Sequence, residues 1–288
     1  LPGACAANPD AALLRARPFR LELPPALRPD PPPGTPRSDA AHPAPLLIAL
    51  HGFGSEGAAI DPYFGLGPLA AARGIIYVVP DGLPDGRRLR FWNATDACCD
   101  LEGRRVDDVR YLSAIIRDVS ARYPVDRARV FVVGHSNGGF MAHRMACDAS
   151  ELVAGIVSLA GVTWQDEARC RPRTKVAVLQ VHGTGDDVIR YGGGRYEPQL
   201  PAYPSARESV ARWARVNGCS ATLSESGPPL DLDSALPGPE TRVARHRGCR
   251  FGAAELWSIE GAGHIPRLVP PVFGAAILDF LLAHPKTR

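Results

Sequence analysis

Val130-Phe131-Val132-Val133 runs directly into Gly134-His135-Ser136-Asn137-Gly138-Gly139, and then into Phe140-Met141-Ala142. An apolar β-branched run, a serine bracketed by glycines and a helix-forming stretch read as strand, turn and helix, in the pattern G-x-S-x-G. A serine on so tight a turn is lifted above the end of its sheet. Side chains at 134 or 138 would collide with the neighbouring strand and helix, which is why glycine stands there. The N–H of Asn137, at the helix start, faces any negative charge developing near the hydroxyl and is helped by the helix dipole. Ser136 is therefore a candidate nucleophile and Asn137 a candidate oxyanion donor.

Working outward, further apolar runs of strand length are Leu46–Leu50, Ile75–Val79, Ile156–Ala160, Val176–Val181 and Leu256–Ile259. They are mostly continuous rather than alternating, as expected of strands covered on both faces of a parallel sheet. Between them, Asp107–Tyr123, Asn137–Asp148, Ser205–Asn217 and Gly274–Ala283 read as helices. The first opens on an acidic cap and stops before Pro124, and the third ends at Asn217-Gly218. Alternating strand and helix predicts an α/β fold with a mainly parallel sheet. The Pro-rich stretch 24–45 and the segment 223–240 read as surface loops.

A serine hydroxyl needs a base within hydrogen-bond reach. In this architecture the partners follow in the order Ser, Asp or Glu, His, each just after a later strand. Val176–Val181 is followed by His182-Gly183-Thr184-Gly185-Asp186-Asp187, and Leu256–Ile259 by Glu260-Gly261-Ala262-Gly263-His264. His264 is the expected base; His246 lies before its strand and His284 in the tail. His51 and His182, each closing a strand in a His-Gly pair, read as packing or hydrogen-bonding residues under the site. Asp186 and Asp187 compete as the orienting acid. The loop His51-Gly52-Phe53-Gly54 after Leu46–Leu50 can bend inward, making the Phe53 N–H the second expected oxyanion donor. Trp92 and Trp164 lie on segments leaving the C-terminal side of the sheet, where ligands bind in open α/β folds. They and Tyr191 are the expected substrate contacts.

The blocks LHGFG, FWNATDACCD, VDDVRYL, YPVDRARVFVVGHSNGGFMAHRMAC, VHGTGDDVIRYGG, NGC and GAGHIP resemble the secreted esterases of the polyhydroxybutyrate-depolymerase and feruloyl-esterase group. The resemblance runs from about residue 18 to 282. It implies an α/β-hydrolase fold, hydrolysis of carboxylic esters, no metal and no cofactor. It also places the acid at Asp186, the Asp of H-G-T-x-D. Two departures stand at the rim: Arg190 where the group has proline, and Ile265-Pro266 after His264 where it often has Thr-Trp-Pro. The expected organisation is an N-terminal segment 1–17 and one catalytic domain, 18–288. Gly161–Lys175 has room for a turn and a short helix but no lid domain, so an open cleft suited to a bulky or polymeric ester is expected. A serine peptidase of the same fold and a non-catalytic binding relative are the alternative readings.

Composition sets outer bounds. The 288 residues carry 33 Lys+Arg against 30 Asp+Glu, a net charge of +3 with scattered arginines. That is too weak a field to make nucleic acid the main partner. Hydrophobic residues at 45% and charged residues at 22% exclude a wholly disordered chain. No run approaches a membrane span. The start, Leu1-Pro2-Gly3-Ala4-Cys5, lacks a basic region and an apolar core, and the seven cysteines include no CxxC pair. A mature secreted or periplasmic protein, its signal peptide removed, is expected, with disulfides rather than zinc. Cys219–Cys249 would clip the Pro/Gly-rich loop between them, and Cys147–Cys170 would join two segments at the N-terminal edge of the sheet. Cys98 and Cys99 are left open between each other and Cys5, for which a lipid anchor is not expected.

Overall fold

The computed structural model describes residues 9–28 and 42–287. The strands are β1 (Phe19–Glu22), β2 (Ala44–Leu50), β3 (Ile76–Pro80), β4 (Leu83–Pro84), β5 (Arg90–Phe91), β6 (Val125–His135), β7 (Gly155–Leu159), β8 (Ala177–Gly183), β9 (Leu223–Glu225), β10 (Thr241–His246) and β11 (Ala254–Ile259). The helices are α1 (Pro9–Ala16), α2 (Gly57–Phe64), α3 (Leu66–Ala72), α4 (Asp108–Arg122), α5 (Asn137–Asp148), α6 (Ala206–Asn217) and α7 (Pro270–Ala283). Nine strands form one sheet in the order β1-β3-β2-β6-β7-β8-β11-β10-β9. The six from β3 to β11 are parallel, and β1, β10 and β9 are antiparallel edges.

All six runs expected to be strands are strands of the parallel core, and β2, β3, β7 and β8 are buried throughout. Alternate residues enter opposite layers, as the two-residue period of a strand requires. Leu46, Ile48 and Leu50 pack with residues of α4, α5 and α6, while Leu47 and Ala49 pack with residues of α2, α3 and α7. The expected helices form with small boundary shifts, except that α7 starts four residues early on Pro270-Pro271, proline being suited to a first turn. Two loop expectations need correction. The stretch 24–45 runs into β2, and 223–240 opens with β9, which β10 pairs in an antiparallel ladder. Residues 29–41 of the first lie outside the described residues, as does Cys5.

The described end of the N-terminal segment is tied to the rest of the chain through Arg17. Arg17 follows α1, pairs with Asp108 at 2.8 Å and lies 3.8 Å from the Tyr111 ring centroid. Both members of the pair are buried, so removing either one costs about 3–5 kcal/mol. Asp108 also accepts from the Asn93 N–H, which fixes the loop leading from Trp92. Cys147–Cys170 and Cys219–Cys249 are bonded as expected, and Cys98 is bonded to Cys99. Between β7 and β8 there is only a short 3-10 helix, Glu167–Arg169, and no lid. Among the described residues no helix is long and apolar enough to cross a membrane.

The chain leaves β2 to one side for β3 and returns to the other for β6. That reversal is the switch point at which open α/β sheets leave a crevice. The loop after β2 and the turn after β6 both open into it.

Candidate active site

Ser136 caps α5 with φ 53° and ψ −120°, a strained conformation for a residue with a side chain. The turn survives because nothing protrudes beside it. A Cβ on Gly134 would lie 2.2 Å from the Gly138 carbonyl oxygen, and one on Gly138 would lie 2.3 Å from that of Leu50. The Ser136 N–H is held by the Leu159 carbonyl of β7.

The structure brings three of the expected side chains together. Ser136 Oγ lies 2.9 Å from His264 Nε2, and His264 Nδ1 lies 2.8 Å from Asp186 Oδ2. Asp186 is reached from β8 by a turn whose backbone its other oxygen, Oδ1, caps, accepting from Val188 N–H and Ile189 N–H. Burial raises the pKa of this carboxyl. Hydrogen bonds from His182 and His264 outweigh burial and hold it well below the usual carboxylate range. A carboxylate only accepts, so His264 Nδ1 carries a proton and Nε2 is free to take one from Ser136. Asp187 is exposed.

The histidine loop is braced from two sides. His135, neighbour of the serine, donates from Nε2 to the His264 carbonyl at 2.9 Å. Burial, then the adjacent His264, pushes His135 down to about 4, so it is neutral in ordinary buffers. Tyr63 packs edge-on to His135 and donates to the Pro266 carbonyl. Beyond them, Asp233 accepts from the Arg267 N–H, so the segment 226–240 supports the same loop.

The two expected oxyanion donors are linked by a buried bracket. The first N–H groups of a helix have no partner within it, which leaves that of Asn137 free to point out of α5. The Asn137 side chain accepts from the Trp92 N–H at 2.7 Å and donates to the Trp92 carbonyl at 2.9 Å. The Trp92 indole donates to the His51 carbonyl at 3.0 Å. The Gly82 N–H donates to His51 Nε2, so Nδ1 carries the proton and donates to the Gly52 carbonyl at 2.8 Å. Peptide planarity then turns the N–H of the same peptide, that of Phe53, to the opposite side. A Cβ on Gly52 would lie 3.4 Å from Ser136 Cβ, so this peptide stands beside the serine.

Of the expected substrate contacts, Trp92 is corrected by its burial, and Trp164 and Tyr191 are engaged with protein neighbours. Trp92 is fully buried, its ring and indole N–H engaged under the oxyanion bracket. Trp164 is 5% exposed and one face lies under Arg169, 4.2 Å from the ring centroid. Tyr191 turns inward, edge-on to His182, with its hydroxyl 2.7 Å from Ser258 Oγ. The side chains that stand open beside the site are Ile265, 67% exposed next to His264, and Val188, 40% exposed two residues after Asp186. Sequence reading placed Ile265 at the rim as a departure from the resembled group and passed over Val188, although it lies two residues after a predicted site residue.

The family model described as phospholipase/carboxylesterase matches residues 37–199. The chain is 32% identical over 224 residues to feruloyl esterase C of Emericella nidulans, covering 69% of this chain and 76% of the relative. It is 30% identical over 205 residues to feruloyl esterase D of Neurospora crassa, covering 71% and 59%. The chain spans 64% and 39% of the length of two other relatives, a putative esterase of Nocardia uniformis and feruloyl esterase B of Piromyces equi. An acetyl xylan esterase from Aspergillus awamori shares the fold at a TM-score of 0.55 and 16% identity, over 91% of this chain and 93% of that one. With the family model matching more than half of its residues, the chain belongs to the phospholipase/carboxylesterase family.

Proposed function

We propose that this protein hydrolyses carboxylic esters through an acyl-enzyme on Ser136. The observation that carries the reading is the pair of contacts on His264, 2.9 Å to Ser136 Oγ and 2.8 Å to Asp186 Oδ2. As Ser136 attacks the ester carbonyl, His264 takes the hydroxyl proton on Nε2. The carbonyl oxygen becomes an oxyanion facing the N–H groups of Phe53 and Asn137. His264 then protonates the departing alcohol, and a water repeats the sequence on the acyl-enzyme. Asp186 holds the Nδ1–H tautomer and stabilises the imidazolium.

The substrates we propose are bulky or polymeric esters: polyhydroxyalkanoate, feruloyl polysaccharide or aryl polyester. The lidless connection between β7 and β8 and the exposed Ile265 and Val188 support an open, apolar rim. Naming of the relatives as feruloyl esterases points the same way. The three disulfides support an oxidising compartment, periplasmic or extracellular. We treat 18–288 as the catalytic unit.

The test is Ser136→Ala, assayed on p-nitrophenyl acyl esters and on the polymeric esters, with a serine-directed phosphonate as active-site titrant. Loss of several orders of magnitude in kcat and of stoichiometric labelling is expected, with an unchanged circular dichroism spectrum. Turnover within tenfold of wild type would refute the assignment.

A further inference from the structure

Behind Asp186 a line of buried polar side chains runs away from the serine. Trp213 Nε1 on α6 donates to His143 Nδ1 on α5 at 3.0 Å. His143 Nε2 lies 3.0 Å from Gln180 Oε1 on β8. Gln180 Nε2 lies 3.3 Å from His182 Nδ1 on the same face of that strand. His182 Nε2 lies 3.2 Å from Asp186 Oδ2 and 2.6 Å from the Ile189 carbonyl. All four side chains behind the aspartate are at most 1% exposed.

The chemistry at the two ends fixes the direction of every link. An indole nitrogen only donates, and a carboxylate only accepts. With Trp213 donating, His143 accepts on Nδ1 and carries its proton on Nε2. Gln180 must then accept on Oε1 and donate from Nε2. His182 accepts on Nδ1, and its Nε2–H, held by the Ile189 carbonyl at 2.6 Å, also serves Asp186 Oδ2 at 3.2 Å. Reasoning backwards from the carboxylate gives the same answer for His182, because Asp186 and the Ile189 carbonyl both demand a donor.

We infer that Trp213, His143, Gln180 and His182 form a one-way hydrogen-bond chain that sets the position and charge of Asp186 Oδ2, with His182 as the positioning residue. The inference rests on the proposed Ser136–His264–Asp186 chemistry. Oδ2 is the oxygen that also receives His264 Nδ1, so a second donor there fixes where His264 is held and shares the carboxylate charge. The other titratable groups near Asp186 are His135 at the end of β6, His264 after β11 and Tyr203 on the segment after β8, and Tyr191 packs edge-on to His182. Without the His182 donor, more of the negative charge falls on His264, which favours its imidazolium. The acid limb of kcat/KM must therefore move to higher pH, while orientation is lost and kcat falls.

Two measurements test this. In the full chain with 15N-labelled histidine, His143 and His182 should both be neutral Nε2–H tautomers at pH 7. His143→Gln and His182→Gln identify the two signals, and Trp213→Phe should convert His143 to a mixture. In kinetics, His182→Leu should lower kcat about tenfold, the scale of one hydrogen bond to a charged group, with KM changed less than about twofold. Its acid limb should lie above that of wild type. His182→Gln, whose amide can still donate to Asp186, should recover most of kcat and restore the limb. An Nδ1–H tautomer at either histidine, or one acid limb shared by wild type and His182→Leu, overturns the inference. If Ser136→Ala instead stays active, the ester-hydrolase reading fails, and the tautomers of the unmodified protein still decide whether the chain exists.

Discussion

His143 offers a clean measure of what holding a buried imidazole neutral costs this fold as pH falls. It is fully buried on α5, between Trp213 and Gln180. Burial pushes it from 6.5 down to about 4, against a smaller upward pull from Gln180. A difference of about 2.5 units corresponds to about 3 kcal/mol. The sign follows from linkage. Above pH 6.5 neither folded nor unfolded chain holds the proton, and the group contributes nothing. Between 6.5 and about 4 the unfolded chain takes the proton first, so stability falls as pH falls. Below 4 both states hold it and the loss is complete. His143→Gln removes the titration while leaving an amide that can meet one neighbour, at a cost of about 1–3 kcal/mol at pH 7.5. Urea unfolding followed by tryptophan fluorescence at pH 7.5, 6, 5 and 4.2 gives both curves. The stability of wild type minus that of the variant should fall by about 3 kcal/mol across this range, closing the gap or reversing its sign. Other groups, Asp108 and His135 among them, titrate in both proteins and cancel in the difference. Parallel curves would show that His143 carries no such cost.

Three further outcomes are expected. Asp186→Asn should lower kcat by about 10⁴, because the amide favours the wrong imidazole tautomer, whereas the exposed Asp187→Asn should change it less than about tenfold; steady-state kinetics showing Asp187→Asn to be the weaker enzyme would move the acid by one residue. Trp92→Phe keeps the ring but leaves the buried His51 carbonyl without its donor, so thermal unfolding should show a loss of about 1–3 kcal/mol and kcat should fall with KM nearly unchanged. A fall in KM affinity alone would return Trp92 to the substrate cleft. Cys219→Ser with Cys249→Ser opens a link of sequence separation 30, and denaturant unfolding should register a loss of about 3–4 kcal/mol; an unchanged midpoint would mean the clip constrains nothing.

Six core strands were legible because each is covered on both faces, so its residues are apolar without interruption and need no partner to be recognised. The edges were not. β10 reads Thr-Arg-Val-Ala-Arg-His; Thr241 and Val243 are buried on one face with Arg242 exposed between them, and the pattern reverses at the end, where Arg245 is exposed and His246 buried. Its arginines broke the apolar run, and only the first four residues carry the alternation of a strand wetted on one face. α2 and α3 were hidden by Pro62, Gly65 and Pro68. Gly65 ends one helix and caps the next in a left-handed conformation, so two short helices looked like a single turn-rich loop.

The site divides along the same line. Ser136 and His264 could be read because each sits just past a core strand, whereas the strand end narrowed the acid only to Asp186 or Asp187 and the H-G-T-x-D resemblance chose between them. Trp92 could not, because a loop aromatic is assigned by whatever captures it, here the Asn137 amide. The buried chain behind Asp186 did leave a mark that local reading passes over. In Ala177–Gly183, otherwise apolar and fully buried, Gln180 and His182 stand two apart and so on one face. Two polar residues on one face of a strand with no wet side require buried partners. His143 at the middle of α5 and Trp213 on α6 are the polar groups that the packed helices bring to that face. A polar pair at spacing two in a core strand just before a predicted acid therefore points to a network ending on that acid, and the helices crossing the same face are where its far end lies.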